Sequence, residues 1–174
     1  MSQRRKKESG FSLVELLVVM FILSLLSTIT LIGYRSNQDK YAIKQAVQKV
    51  ASDLRRAQNM AISGVDIAGN YYGYGIYFVD DSNSYFIYGD INNDSSYDIG
   101  DTTIEIINFN NQIRISQTAP LAVEADIFFK SPNPKTYIDG SNLVGKTATV
   151  TLEVIGKSLN ESVIITTSGL IQVD

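Results

Sequence analysis

The 174 residues contain no cysteine and no histidine, and no proline occurs before Pro120. Each absence narrows the reading. Without cysteine, no disulfide staples the fold in any compartment. Without histidine, the commonest general base and the commonest transition-metal ligand are both missing. No P-loop and no G-x-S-x-G serine motif replaces them, and the paired acids sit in loops with no basic or aromatic pocket around them, so an enzyme is not expected. Charge of one sign is also scarce. Fifteen lysines and arginines face eighteen acids, for a net charge of −3. That balance gives no reason to expect broad attraction to nucleic acid. The charges are unevenly spread, however. Arg4, Arg5, Lys6 and Lys7 crowd the N-terminus, while acids gather in a tyrosine-rich middle.

One long apolar run is present. Residues 11–33 read FSLVELLVVMFILSLLSTITLIG, interrupted by a single carboxylate, Glu15. As a helix this run is roughly 35 Å long, enough for a bilayer core of ~30 Å. A cleaved secretory signal fits poorly, because the run exceeds the usual ~7–15 residues and no A-x-A site closes it. A plain membrane anchor with its basic end inside fits the charges but leaves Glu15 unexplained. A carboxylate inside a membrane segment costs roughly 2.5–3.5 kcal/mol at mid-bilayer and less near the interface, so such a residue usually has a partner.

The stretch KKESGFSLVELLVVM accounts for the basic cluster, the glycine and the acid together. Lys6, Lys7, Gly10, Phe11 and Glu15, with Ser12-Leu13-Val14 between, closely resemble the class III signal of type IV pilins and type II secretion pseudopilins. The resemblance implies that a prepilin peptidase cuts between Gly10 and Phe11 on the cytoplasmic face and methylates the new amine of Phe11. Residues 1–10 would be the cleaved leader and residues 11–33 the transmembrane and filament-core helix. Glu15 of one subunit would then neutralise the Phe11 amine of a neighbour. In a low-dielectric bundle that pairing offsets much of the desolvation cost and fixes axial register. Major pilins often carry a proline within this helix. Here there is none, so a continuous helix is expected, weakened near its exit by Gly33.

Residues 34–64 continue the helix in amphipathic form. Ile43, Val47, Val50, Leu54, Ala57 and Ala61 recur at spacings of four and three, widened by Ala46 and Met60. Opposite lie Lys40, Lys44, Lys49, Asp53 and Arg56, read as a solvated face, and Gly64 is a natural stop. From there residues 65–174 form the globular part. Alternation and β-branched or aromatic content place strands near 75–79, 85–88, 103–107, 112–116, 125–129, 147–155, 162–167 and 170–173. Residues 131–142, with two prolines, read as a long loop suited to specific contacts. The fold expected is α+β: a long N-terminal helix packed on an antiparallel sheet or small sandwich. The helix end VASDLRRAQNMAIS and the closing strand, Ser-Gly, strand pattern resemble the H-type pseudopilins and FimT-like minor pilins. The tyrosines at 71, 72, 74, 77, 85, 88 and 97 read as strand aromatics, with a carbohydrate or partner surface as the alternative.

The stretch DINNDSSYDIGD places oxygen side chains at Asp90, Asn92, Asp94, Asp98 and Asp101, with the Ser96 carbonyl at the seventh place. That spacing resembles the calcium loops of EF-hands and dockerins, since hard cations need several oxygens converging on one point. Two features depart from it: Ser95 stands where glycine is expected, and strands rather than helices flank the loop. An acidic hairpin held by Asx turns is the metal-free alternative.

Three functions are carried forward. The first is a structural minor pilin or pseudopilin, inserted in the cytoplasmic membrane with its C-terminal domain outside, then assembled with other pilin subunits into a pilus or pseudopilus near the tip. The second is a DNA-binding minor pilin for DNA uptake, disfavoured because no lysine or arginine follows Lys157. The third is a membrane-anchored calcium-binding surface protein.

Overall fold

The computed structural model describes residues 10–64, 71–120 and 123–174, and within the helix the side chains other than those of residues 29–36. Arg4, Arg5, Lys6 and Lys7 of the basic leader lie outside the described residues, as do 65–70 at the expected start of the globular part. Contacts divide the chain into two units, Met1–Asp39 and Lys40–Asp174.

A single α-helix, α1, spans Leu13–Ser63 and crosses from the first unit into the second. It starts where the sequence supplies a cap. The Ser12 hydroxyl accepts the Val14 amide at 3.3 Å, and the Ser12 carbonyl accepts the Leu16 amide at 3.2 Å. It ends at Gly64, whose φ of +57° is the left-handed conformation that closes many helices. Within the second unit the expected stripe is the buried one: Ile43, Val47, Val50, Leu54, Ala57 and Ala61 are all fully covered, and Ala51 joins them. Each larger aliphatic on that stripe gains about 1.5–3 kcal/mol by leaving water.

Among the described residues nine strands follow. β1 (Gly73–Val79), β2 (Ser84–Asp90), β3 (Thr102–Asn108), β5 (Glu124–Lys130) and β6 (Thr136–Ile138) form one antiparallel sheet in the order β3-β2-β1-β5-β6. β4 (Ile113–Ala119), β7 (Thr147–Val154), β8 (Asn160–Thr166) and β9 (Ile171–Val173) form the second, in the order β4-β7-β8-β9. The protein is therefore α+β. Alternate residues of both sheets and the helix stripe share one core, including Ile76, Phe78, Ile87, Ile127, Val150, Leu152 and Ile165.

Two expectations are corrected. The 131–142 segment is not all loop: Thr136–Ile138 pairs with β5, a strand too short to show alternation and hidden behind Pro132 and Pro134. Asp53 is not on the solvated face. It is 2 % exposed and accepts the Tyr85 hydroxyl at 2.6 Å and Lys49 Nζ at 2.8 Å. A carboxylate at the margin of an apolar stripe is taken inside when such partners reach it.

Candidate functional site

Every described side chain from Phe11 to Thr28 is exposed. This stretch is apolar around its whole circumference, with Leu13 80 % and Phe21 62 % exposed. Its hydroxyl groups are turned back on the helix: Ser24 donates to Phe21 O at 2.8 Å, Ser27 to Leu23 O at 2.8 Å, and Thr28 to Ser24 O at 2.9 Å. Glu15 is left as the one carboxylate, in the first turn, where the helix dipole favours negative charge. Ser12 and Glu15 have capping-box spacing, but the Ser12 hydroxyl accepts the Val14 amide and not that of Glu15, so it caps the helix outside the box pattern. Glu15 makes no hydrogen bond or ion pair among the described residues. Among the described residues an added Cβ at Gly10 would meet nothing within 4 Å. Among the described residues no helix is long and apolar enough to cross a membrane. The described apolar side chains stop at Thr28, whereas the apolar sequence runs on to Gly33.

The acidic loop between β2 and β3 is built on Asp90, which is fully buried. Its carboxylate accepts the amides of Asn93 at 2.6 Å and Ser95 at 3.1 Å. Asn93 and Ser95 take φ of +67° and +69°, so Ser95 adopts the left-handed turn for which glycine was expected at that place. Asp94 accepts the Ser96 amide at 2.9 Å, Asp98 that of Gly100 at 2.6 Å, and Asp101 those of Ile91 at 3.0 Å and Asp98 at 3.1 Å. The Asn92 amide nitrogen bridges Asp94 at 2.9 Å and Asp98 at 2.7 Å. As they lie, these groups satisfy one another and the backbone, and among the described residues no three acids are grouped to hold a metal. Burial pushes the Asp94 carboxyl up, but hydrogen bonds from Ser96 and Asn92 outweigh it and leave the group below its usual range.

The loop is fastened to the sheet face that points away from the core. Tyr97 packs on Phe86, Tyr77 and Tyr88 with ring centroids 4.8, 4.9 and 5.2 Å away, and its amide donates to Asp126 at 2.8 Å. Asp126 is 6 % exposed and also accepts the Tyr88 hydroxyl at 2.6 Å. Burial pushes its carboxyl up to about 7, against the two hydrogen bonds and with help from the negative charges of Asp139 and Asp101. Asp139 in turn accepts the Asp126 amide at 2.9 Å and faces Lys146 Nζ at 3.9 Å. Gly75 makes room beneath this cluster, because an added Cβ would lie 2.3 Å from the Tyr88 ring. Of these tyrosines, Tyr74, Tyr85 and Tyr88 are buried, Tyr71, Tyr77 and Tyr97 are half-buried, and Tyr72 is exposed. The sequence reading missed Asp126, although an acid inside the apolar run EADIFFK is a visible signal.

Residues 5–31 match the family described as the prokaryotic N-terminal methylation motif. The match supports a type IV pilin or pseudopilin class of subunit and, with it, prepilin processing and assembly with other pilins. No curated protein and no solved structure matches the chain.

Proposed function

We propose that the chain is a minor pilin or pseudopilin, anchored in the cytoplasmic membrane by residues 11–33 with its β-rich part outside, and then incorporated near the tip of a type IV pilus or secretion pseudopilus. The observation that carries this is the Leu13–Thr28 part of α1, apolar around its circumference and exposed, with one carboxylate that no described residue engages. Such a helix is at home in lipid or in a bundle of like helices, not in water. Cleavage after Gly10 would free an amine at Phe11, and Glu15 of an adjoining subunit is the group that would meet it. Gly10 itself is explained by recognition rather than by folding, since among the described residues its site would admit a side chain. The test is co-expression with a prepilin peptidase, followed by intact mass and N-terminal sequencing. A chain beginning at N-methylated Phe11 is expected. An uncut chain would return the protein to the class of plain anchors.

Calcium at the acidic loop is a second reading, favoured by the left-handed Ser95 and the buried Asp90 that pins the turn. The Asn92 amide nitrogen, lying between two carboxylates, occupies the place a cation would take. Turning that amide over would present its oxygen alongside those of Asp94 and Asp98, with Asp90, Asp101 and the Ser96 carbonyl as the remaining candidates. Millimolar calcium should then raise the melting temperature of the full chain in detergent by several degrees, and Asp94→Ala should abolish the rise. No shift would leave the loop as a hydrogen-bonded hairpin.

A further inference from the structure

We propose that the exposed face of α1 in the second unit docks on the acidic loop of a second copy of this chain. The charge of the sequence is divided to an unusual degree. Residues 65–113 hold eight acids and no lysine or arginine. The outer helix shows the opposite bias. Its two acids, Asp39 and Asp53, are buried, whereas Lys40, Lys44, Lys49, Arg55 and Arg56 are all exposed. Lys49 is engaged by Asp53 and Arg56 by Glu105. Lys40, Lys44 and Arg55 form no ion pair among the described residues. At 100° per residue these three fall within about 60° of one another, and Tyr41 and Gln48 share that face. Tyr41 is 75 % exposed, an aromatic flanked by cations of the kind that anchors interfaces.

The acidic loop is complementary in both respects. Asp94 is exposed and Asp98 half-buried, and Ile99 stands fully exposed beside them. The two surfaces are separate on the subunit: Arg55 donates to the Ile171 carbonyl at 3.5 Å, beside β9, whereas the acidic loop runs between β2 and β3. A subunit whose basic helix face and acidic loop do not pair with each other can satisfy both only outside itself. It satisfies them by head-to-tail contact with its own kind, a heterologous interface that propagates instead of closing. This goes beyond assembly through the apolar helix. It joins the parts of the subunits outside the core helices, and it requires at least two adjoining copies near the tip.

The chain lacks cysteine, so a disulfide between copies can be placed at will. Two differently tagged full-length chains would be co-expressed with prepilin peptidase, one carrying Lys44→Cys and the other Asp98→Cys, and membranes oxidised in the presence of a calcium chelator. The mixed dimer is expected at about tenfold the yield of a control pairing Lys44→Cys with Asn160→Cys on the other sheet. Adding Lys40→Glu beside Lys44→Cys should cut that yield several-fold, and Asp94→Lys in the partner chain should restore it. Because Asp98 helps hold the loop, Ile99→Cys is run in parallel. A yield equal to the control at both loop positions, or one indifferent to charge reversal, overturns the proposal. So does retardation of duplex DNA at low salt by the native chain but not by Lys40→Glu, with no cross-link, which would make the basic face a nucleic-acid surface. Processing at Gly10 is read on the same samples. A cut chain without the cross-link defeats this contact alone, whereas an uncut chain defeats the pilin reading.

Discussion

Asp126 shows how one side chain can couple the acidic loop to solution conditions. It is buried, holds Tyr97 of the loop and Tyr88 of the sheet, and has its carboxyl pushed up to about 7. The unfolded chain would release the same proton near 4. Between those values the folded state binds the proton and the unfolded state does not, so stability falls as pH rises through this window and levels off above it. The slope attributable to this group is about 1.4 kcal/mol per pH unit. Denaturant titrations of the full chain in detergent at pH 5 and pH 7.5 should show the loss, and Asp126→Asn should flatten most of it. Asp101, whose carboxyl is also raised, first by burial, leaves a residual slope of the same sign. None of this was legible in the sequence beyond the oddity of an acid within an apolar strand. The pairing of that acid with Tyr97, twenty-nine positions away, exists only once the loop folds back on the sheet.

Elements divide by whether their signal is local. The helix stripe was legible because six apolar positions repeat at helical spacing, and all six are buried. The longer strands were legible for the same kind of reason, since their alternation marks the face that meets the core. β6 was not, because three residues between a proline and a left-handed Asp139-Gly140 turn show too little pattern. Asp53 was misplaced because its helical angle puts it at the margin, where partners and not periodicity decide burial. The stripe predicts unequal costs along one helix. Leu54→Ala should destabilise the β-rich unit by about 2–5 kcal/mol, the range for an emptied aliphatic site. Lys44→Ala, nearly three turns earlier and exposed, should change it by less than about 0.5 kcal/mol. Denaturant unfolding followed by tyrosine near-ultraviolet circular dichroism separates the two.

At the scale of the whole molecule, the two halves of the chain were legible to different depths. Fifteen residues around Gly10 carried the class of the protein, because a basic leader, a glycine and an acid in an apolar run seldom coincide without a processing enzyme to read them. The rest of the chain gave its fold through patterning, but not the loop's attachment to the outer sheet face. Glu15→Ala should leave folding and processing intact, since the carboxylate makes no described contact within the subunit. Its incorporation into filaments should fall at least about tenfold against native chain in the same cells, because leaving one member of a buried charge pair alone costs roughly 3–5 kcal/mol. Equal incorporation, measured on sheared filaments, would mean that register is set elsewhere.

The apolar circumference of the first half of α1 also limits how the molecule can travel. Passing the twelve large apolar side chains of Leu13–Leu26 through water would cost on the order of tens of kcal/mol, at about 1.5–3 kcal/mol for each. A subunit can therefore change surroundings only where two oily environments touch. Growth of any filament built from this chain would have to occur at the membrane surface, with each copy leaving lipid and entering the bundle in one movement. Shedding from the distant end would strand the helix in water, so the bilayer is both the source of subunits and the only place to which they can be returned intact.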